Sequence, residues 1–161
     1  MNTRNTKIWT ITLVKKDVFF DIDILSLYYS EVSAGEAPAK ADRIATETSS
    51  IAGRRIVTRM CEHRLGDIRR TLARFLGEEE ASASDDRLSE GDWTIRLCIS
   101  TEAEESTLGA ITDACHDYLV AGGLADYYAQ IGVNGNREAL QARADADMVK
   151  LRELIYFRPM P

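Results

Sequence analysis

The chain has few of the residues that fix a structure through covalent or metal links. Its 161 residues include only three cysteines, three prolines and two histidines. Because three is an odd number and Cys61, Cys98 and Cys115 have no useful spacing, we expect buried free thiols rather than disulfides. The chain has no CxxC or HxxxH pair, and Cys61 and His63 would lie on different faces of a helix. A metal site is therefore not expected.

Long apolar runs are also missing. No stretch approaches the roughly 18 uninterrupted apolar residues of a membrane span. The first residues, MNTRNTKIW, contain no apolar run of signal-peptide length. We therefore expect a protein kept in a cytoplasm-like compartment, with no membrane partner.

The remaining composition is that of a soluble globular protein, with 45% hydrophobic and 29% charged residues. It excludes wholesale disorder, a collagen-like chain and a membrane channel. The length predicts a single domain over 1–161. The net charge of −6 argues against a general nucleic-acid coat protein.

The charge is unevenly distributed along the chain. Residues 1–77 carry 13 basic and 9 acidic side chains, whereas residues 78–161 carry 7 and 17. Opposite charge blocks in one chain suit subunits that contact each other head to tail.

Hydrophobic periodicity predicts a mainly α fold. Alternation over 8–14 and 93–99 indicates two short strands. Apolar residues spaced by three and four predict about four helices packed as a bundle, in the order β-α-α-β-α-α. Asp17 is the expected N-cap of the first helix. The acidic stretch 77–91 is predicted to be an exposed loop.

The first helix carries more apolar residues than one buried face needs. Beside its main stripe, Phe20, Ile24, Leu27 and Tyr28 widen the apolar surface. We therefore expect this helix to be buried on more than one side.

Two further patterns concern close contacts. Gly122-Gly123 interrupts good helix formers and indicates either a bend or the close approach of another backbone. The segments WTITL at 9–13 and WTIRL at 93–97 echo each other. Two strands alone are marginal in water, so they must lie on the helices, pair together or pair with a neighbouring subunit. Exposed strand edges favour the neighbouring subunit.

No arrangement of residues predicts catalysis or cofactor binding. Cys115, His116 and Asp117 are consecutive, so on a helix they point about 100° apart and do not suit a nucleophile with its base. Gly122-Gly123 lacks the Lys-Ser or Lys-Thr of a phosphate loop. Asp21 and Asp23 fit the polar face of a helix better than a nuclease metal cluster. We expect no catalytic, cofactor or metal site.

The second helix is rich in arginine and contains no lysine. Three interpretations remain open: a solvated face neutralised by the acidic loop, an interface with an acidic protein surface, or a nucleic-acid site. The arginines are Arg54, Arg55, Arg59, Arg64, Arg69, Arg70 and Arg74. Tyr127 and Tyr128 are expected in the core or at an interface.

The order of these segments resembles small helical proteins from the structural gene clusters of tailed phages and prophages. The resemblance rests on KKDVFFDIDIL at 15–25, the arginine-rich second helix, WTIRLCIS at 93–100, HDYLVAGGLADYYAQIGV at 116–133 and LRELIYFRP at 151–159. Such proteins look like head–tail connector, neck or head-completion components. The resemblance implies a homo-oligomeric ring in a virion assembled in the host cytoplasm, with portal or tail proteins as neighbours.

The sequence thus favours a non-enzymatic virion structural protein that works through protein–protein contacts. The alternative is a small regulatory or adaptor protein that binds nucleic acid through the arginine-rich helix. The predicted interface residues are Trp9, Ile11, Leu13, Arg54, Arg55, Arg59, Arg69, Arg70, Arg74, Trp93, Ile95, Leu97, Tyr127 and Tyr128.

Overall fold

The computed structural model describes residues 5–33, 48–76, 91–132 and 136–156, with the side chains of 30–33 excepted. It is mainly helical, in the predicted order β-α-α-β-α-α. The elements are β1 (Thr6–Leu13), α1 (Lys15–Ser33), α2 (Ile51–Thr71), β2 (Trp93–Ser100), α3 (Glu105–Ile131) and α4 (Arg137–Tyr156). A short 3-10 turn, Ala73–Phe75, follows α2. The predicted acidic loop at 77–91 lies outside the described residues except for Gly91.

The two strands pair with each other in an antiparallel sheet. This corrects the expectation that they pair with a neighbouring subunit. The register also accounts for the echo between the two segments, because Trp9 faces Leu97 and Trp93 faces Leu13 across the sheet. Strand alternation directs one row of side chains into the core and the other into solvent.

Helix α3 lies at the centre of the described structure. It contacts α1, α2, α4 and β1, and its residues from Tyr118 to Ala125 are all buried. A helix that is buried on all sides needs apolar or small residues around its whole circumference, and α3 has them. The helix ends at Gly132, whose φ of 79° is the left-handed conformation that favours glycine.

Helix α1 begins two residues before the predicted cap. The backbone N–H of Lys15 donates to Oδ1 of Asp92 at 3.0 Å, so the carboxylate at the start of the helix comes from the residue before β2. Asp17 instead lies in the first helical turn. The prediction of Asp17 as N-cap is wrong because a residue 77 positions away takes that role.

Candidate interaction surfaces

The strand residues that were predicted as subunit contacts are part of the core. Each points from the sheet toward the helices of its own chain, and most are fully buried. These side chains leave little surface for a partner, which corrects their assignment to an interface. They are Trp9, Ile11, Leu13, Trp93, Ile95 and Leu97. Tyr127 and Tyr128 are likewise buried, so core packing is the correct alternative for this pair.

The arginines of α2 and the following turn divide into two groups. In the first group, Arg54 forms an ion pair with Asp23 and Arg70 forms one with Asp67. Arg69 donates a hydrogen bond to the backbone carbonyl of Thr94. Arg55, Arg59 and Arg74 are exposed. The positive charge of the arginine-rich helix is therefore neutralised in part by Asp23 of α1 and Asp67 of α2. The sequence of the helix did not indicate the pairing with α1.

A buried ion pair joins α2 to α3, and no sequence pattern predicted it. Arg64 donates from Nε and Nη2 to the two carboxylate oxygens of Asp126, each at 2.7 Å. The arginine side chain is only 10% exposed. The hydrogen bond to Asp126 raises the pKa of the guanidinium further above its ordinary value. A signal for this pair was present, since Asp126 is the lone charge in the apolar stretch 118–128.

The Arg64 ion pair belongs to a larger polar network. Arg64 also donates to Gln141 of α4 at 2.7 Å and to the hydroxyl of Tyr118 at 3.2 Å. Tyr118 in turn donates to Asp67 at 2.9 Å. Because the network spans three helices and satisfies the guanidinium on several sides, it fixes their relative positions.

Gly122 and Gly123 mark the close approach of α2 to α3. A Cβ at position 122 would lie 3.0 Å from Cδ of Arg64, and one at position 123 would lie 2.7 Å from Sγ of Cys61. Helix α3 continues through both glycines without interruption. Of the two predicted explanations, close approach is confirmed.

The apolar residues beside the main stripe of α1 keep about half or more of their surface exposed. Phe20, Ile24, Leu27 and Tyr28 are between 49% and 63% exposed. They recur at steps of four, three and one, so they lie on one face of the helix. The expectation that α1 is buried on more than one side is wrong for the described chain, because no described element covers this face. We call these four residues the α1 stripe.

A cleft opens between α2 and α4 on another part of the molecule. Its volume is about 510 Å³, and its lining combines charged and apolar side chains. The lining residues are Asp67, Arg70, Thr71, Tyr118, Asp145, Met148, Arg152 and Tyr156. We call it the α2–α4 cleft.

A second depression lies along the first half of α2. It has a volume of about 640 Å³ and includes three arginines, Arg54, Arg55 and Arg59. Ile51 and Glu62 also line it. Arg54 is paired with Asp23, so the positive charge that the depression offers comes mainly from the exposed Arg55 and Arg59.

The cysteines and histidines do not form a reactive centre. Burial raises the pKa of the Cys61 thiol, and that of the Cys115 thiol, to about 12, so both remain protonated at neutral pH. Cys98 is exposed, which corrects the expectation that all three thiols are buried. His116 contacts Asp21 at 2.6 Å and links α3 to α1. In the described parts of the chain, no three His, Cys, Asp or Glu side chains are grouped as metal ligands.

Comparison with known proteins finds no family model, curated protein or solved structure that matches this chain. Among the described helices, none has the length and apolar character needed to cross a membrane.

Proposed function

We propose that this protein is a non-enzymatic structural subunit that assembles into a ring through repeated protein–protein contacts. Its place would be the head–tail connector or neck of a phage or phage-like particle, as the sequence resemblance implies. In this proposal the four helices pack as a bundle, and portal or tail proteins are the neighbours of the ring in the virion.

The α1 stripe is the observation that carries the proposal. The stripe places four large apolar side chains on one helix face, each about half exposed or more. Contiguous exposed apolar surface of this kind marks interaction sites in soluble proteins. Fully burying one such side chain contributes about 1.5–3 kcal/mol, so a contact over the whole stripe can support stable association.

Mass photometry at near-physiological salt tests the proposal. We expect species larger than the monomer, either from the purified protein alone or after mixing with the products of the neighbouring genes. A strict monomer that also fails to bind those products would contradict it.

A second candidate is a small regulatory or adaptor protein that binds nucleic acid. It is favoured by Arg55 and Arg59, which are exposed and form no ion pair with any described residue. Fluorescence polarisation with a labelled DNA or RNA duplex would show affinity that falls steeply with salt, because phosphate contacts release counterions. The double variant Arg55→Ala/Arg59→Ala should then lose binding, while exposed Arg143→Ala should retain it. Absence of binding at low salt would exclude this candidate.

A further inference from the structure

We propose that the outer edge of strand β1 binds an extended segment of a different protein, which joins the sheet as a third strand. This inference rests on the proposed function, because the partner is a neighbour of the ring rather than another copy of the chain. The segment that fits this edge is uncharged and has β-branched residues along the side that lies beside β1.

The direction of the backbone groups of β1 follows from its register with β2. The N–H of Thr101 donates to the carbonyl of Asn5 at 3.0 Å, and this pair continues the antiparallel register of the two strands. In an antiparallel ladder, residues whose backbone groups point toward the partner strand alternate with residues whose groups point away from it. The N–H and C=O groups that point away from β2 are therefore those of Thr6, Ile8, Thr10 and Thr12.

These outward backbone groups are open in the part of the chain that the structure describes. None of them forms a hydrogen bond with a described residue, and all four residues are exposed. Such an edge presents a row of donors and acceptors that another extended backbone can satisfy. Strand β1 has eight residues, so the edge is long enough to pair with a whole strand.

The opposite edge of the sheet, along β2, is already covered. Leu76, which follows α2, forms an antiparallel bridge with Leu97, and Arg69 donates to the carbonyl of Thr94. The outward side-chain row of β2 also includes a charged residue, Arg96. A covering segment and a charged side chain are two of the means by which proteins prevent strand pairing at an edge.

The outward side-chain row of β1 has neither a charge nor a proline. It consists of three threonines and Ile8, whose side chain belongs to a residue that is 72% exposed. β-branched residues pair favourably across neighbouring strands. A partner strand with uncharged β-branched residues therefore matches this row. A charged residue beside Ile8 would lose contact with water without gaining an ion pair.

The symmetry of a ring explains why the occupant is a different protein. Two copies of the same edge can meet only in a two-fold contact, whereas each subunit of a ring meets the next through two different surfaces. The β2 edge of a second copy is not open to β1 either, because the segment at Leu76 covers it. Each subunit of the proposed ring thus keeps one open edge for a neighbour of the ring.

Two substitutions at Thr10 test the contact. Thr10→Pro removes an outward N–H but no hydrogen bond between β1 and β2, and edge strands tolerate proline at such positions. Thr10→Val keeps the N–H and the β-branched shape, so it is the matched control. Ile8→Lys is a second variant, which places a charge on the edge and leaves the backbone unchanged. All three should keep the circular dichroism and the assembly mass of the wild type.

Isothermal titration calorimetry measures binding to each purified product of the neighbouring genes in turn. We expect one product to bind the wild type and Thr10→Val alike. It should bind Thr10→Pro and Ile8→Lys at least about tenfold more weakly, because a buried hydrogen bond is lost or a charge is buried. Hydrogen exchange of the Ile8 and Thr12 amides should be fast in the protein alone and slow in the complex.

The outcomes separate this inference from the proposed function. If the product binds Thr10→Pro and Ile8→Lys as tightly as the wild type, the β1 edge is not its site, and the proposed function stands. The same conclusion follows if the protein assembles by itself and no product binds it. Slow exchange of the outward amides in the assembled protein alone would assign the edge to a second copy and overturn this inference. A monomeric protein that binds none of the products overturns both.

Discussion

At the scale of single residues, the most consequential interaction is the ion pair between Arg64 and Asp126. The sequence placed Arg64 in a basic helix and Asp126 in an apolar helix, so the two residues were not expected to form a pair. Periodicity identified both helices, and Gly122-Gly123 indicated a close approach, but neither specified which charged residues would meet. The pairing depends on Gly122, which lets the arginine side chain lie against α3.

We expect Asp126→Asn to lower the free energy of unfolding by about 2 kcal/mol. Removing one partner leaves the buried guanidinium without its counter-charge, and the effect is below the range for fully buried pairs because Asp126 is 27% exposed. Chemical denaturation measures the loss. Arg70→Ala is the control, since its exposed pair with Asp67 should contribute less than about 1 kcal/mol. Equal losses of unfolding free energy in the two variants would contradict the claim that the Arg64–Asp126 pair stabilises the fold more than an exposed pair does.

The contact at Gly123 predicts a second residue-scale effect. We expect Gly123→Ala to lower stability by about 2 kcal/mol, because the new methyl group would meet the sulfur of Cys61 in a packed interface. Adding Cys61→Ala should recover part of the loss, which a double-mutant cycle detects. Gly66→Ala provides the matched control. No described atom outside its own helix backbone lies near that position, so the change should stabilise α2 by up to about 1 kcal/mol.

Asp147 predicts a pH-dependent effect. Burial, followed by the charge of Asp117, raises the pKa of its carboxyl. Between its ordinary pKa and the raised one, the folded state binds more protons than the unfolded state, so the stability due to this group falls as pH rises. We therefore expect Asp147→Asn to raise the melting temperature at pH 7 and to have little effect at low pH. Exposed Glu153→Gln, with the same charge change on α4, should show no such difference between the two pH values.

At the scale of elements, the sequence predicted which helices and strands exist, and their order, better than it predicted where each one begins or ends. Strict alternation identified β1 and β2, and spacing by three and four identified the helices. The start of α1 was misplaced because its cap is a tertiary contact, from Asp92, rather than a local one. The exposed side of α1 was also misjudged, since periodicity shows which residues share a face but not whether another element covers it.

The cap at α1 predicts that a distant residue outweighs a local one. We expect Asp92→Ala to lower the free energy of unfolding by about 1 kcal/mol, the usual effect of losing a side-chain cap. Asp17→Ala should cost only a few tenths of a kcal/mol, through the loss of a negative charge near the helix N-terminus. Thermal denaturation of the two variants under the same conditions compares their losses of stability. A larger loss from Asp17→Ala would support the local cap instead.

At the scale of the whole molecule, the structure changes which residues can support the proposed assembly. The sequence favoured strand edges and a basic helix as contact surfaces. The described chain instead pairs its strands internally, neutralises part of the arginine side with its own carboxylates, and exposes an apolar face of α1. The burial of the strand residues depends on all the surrounding elements together, so the sequence of a single strand could not predict it.

The most direct test of the account is the molar mass of the protein as a function of concentration, measured by light scattering for the wild type and for Phe20→Ser/Ile24→Ser. We predict a mass that rises above that of the 18.0 kDa monomer for the wild type and stays at the monomer for the variant, while Ile8→Ser follows the wild type. A variant that assembles as readily as the wild type would contradict the claim that the α1 stripe drives assembly.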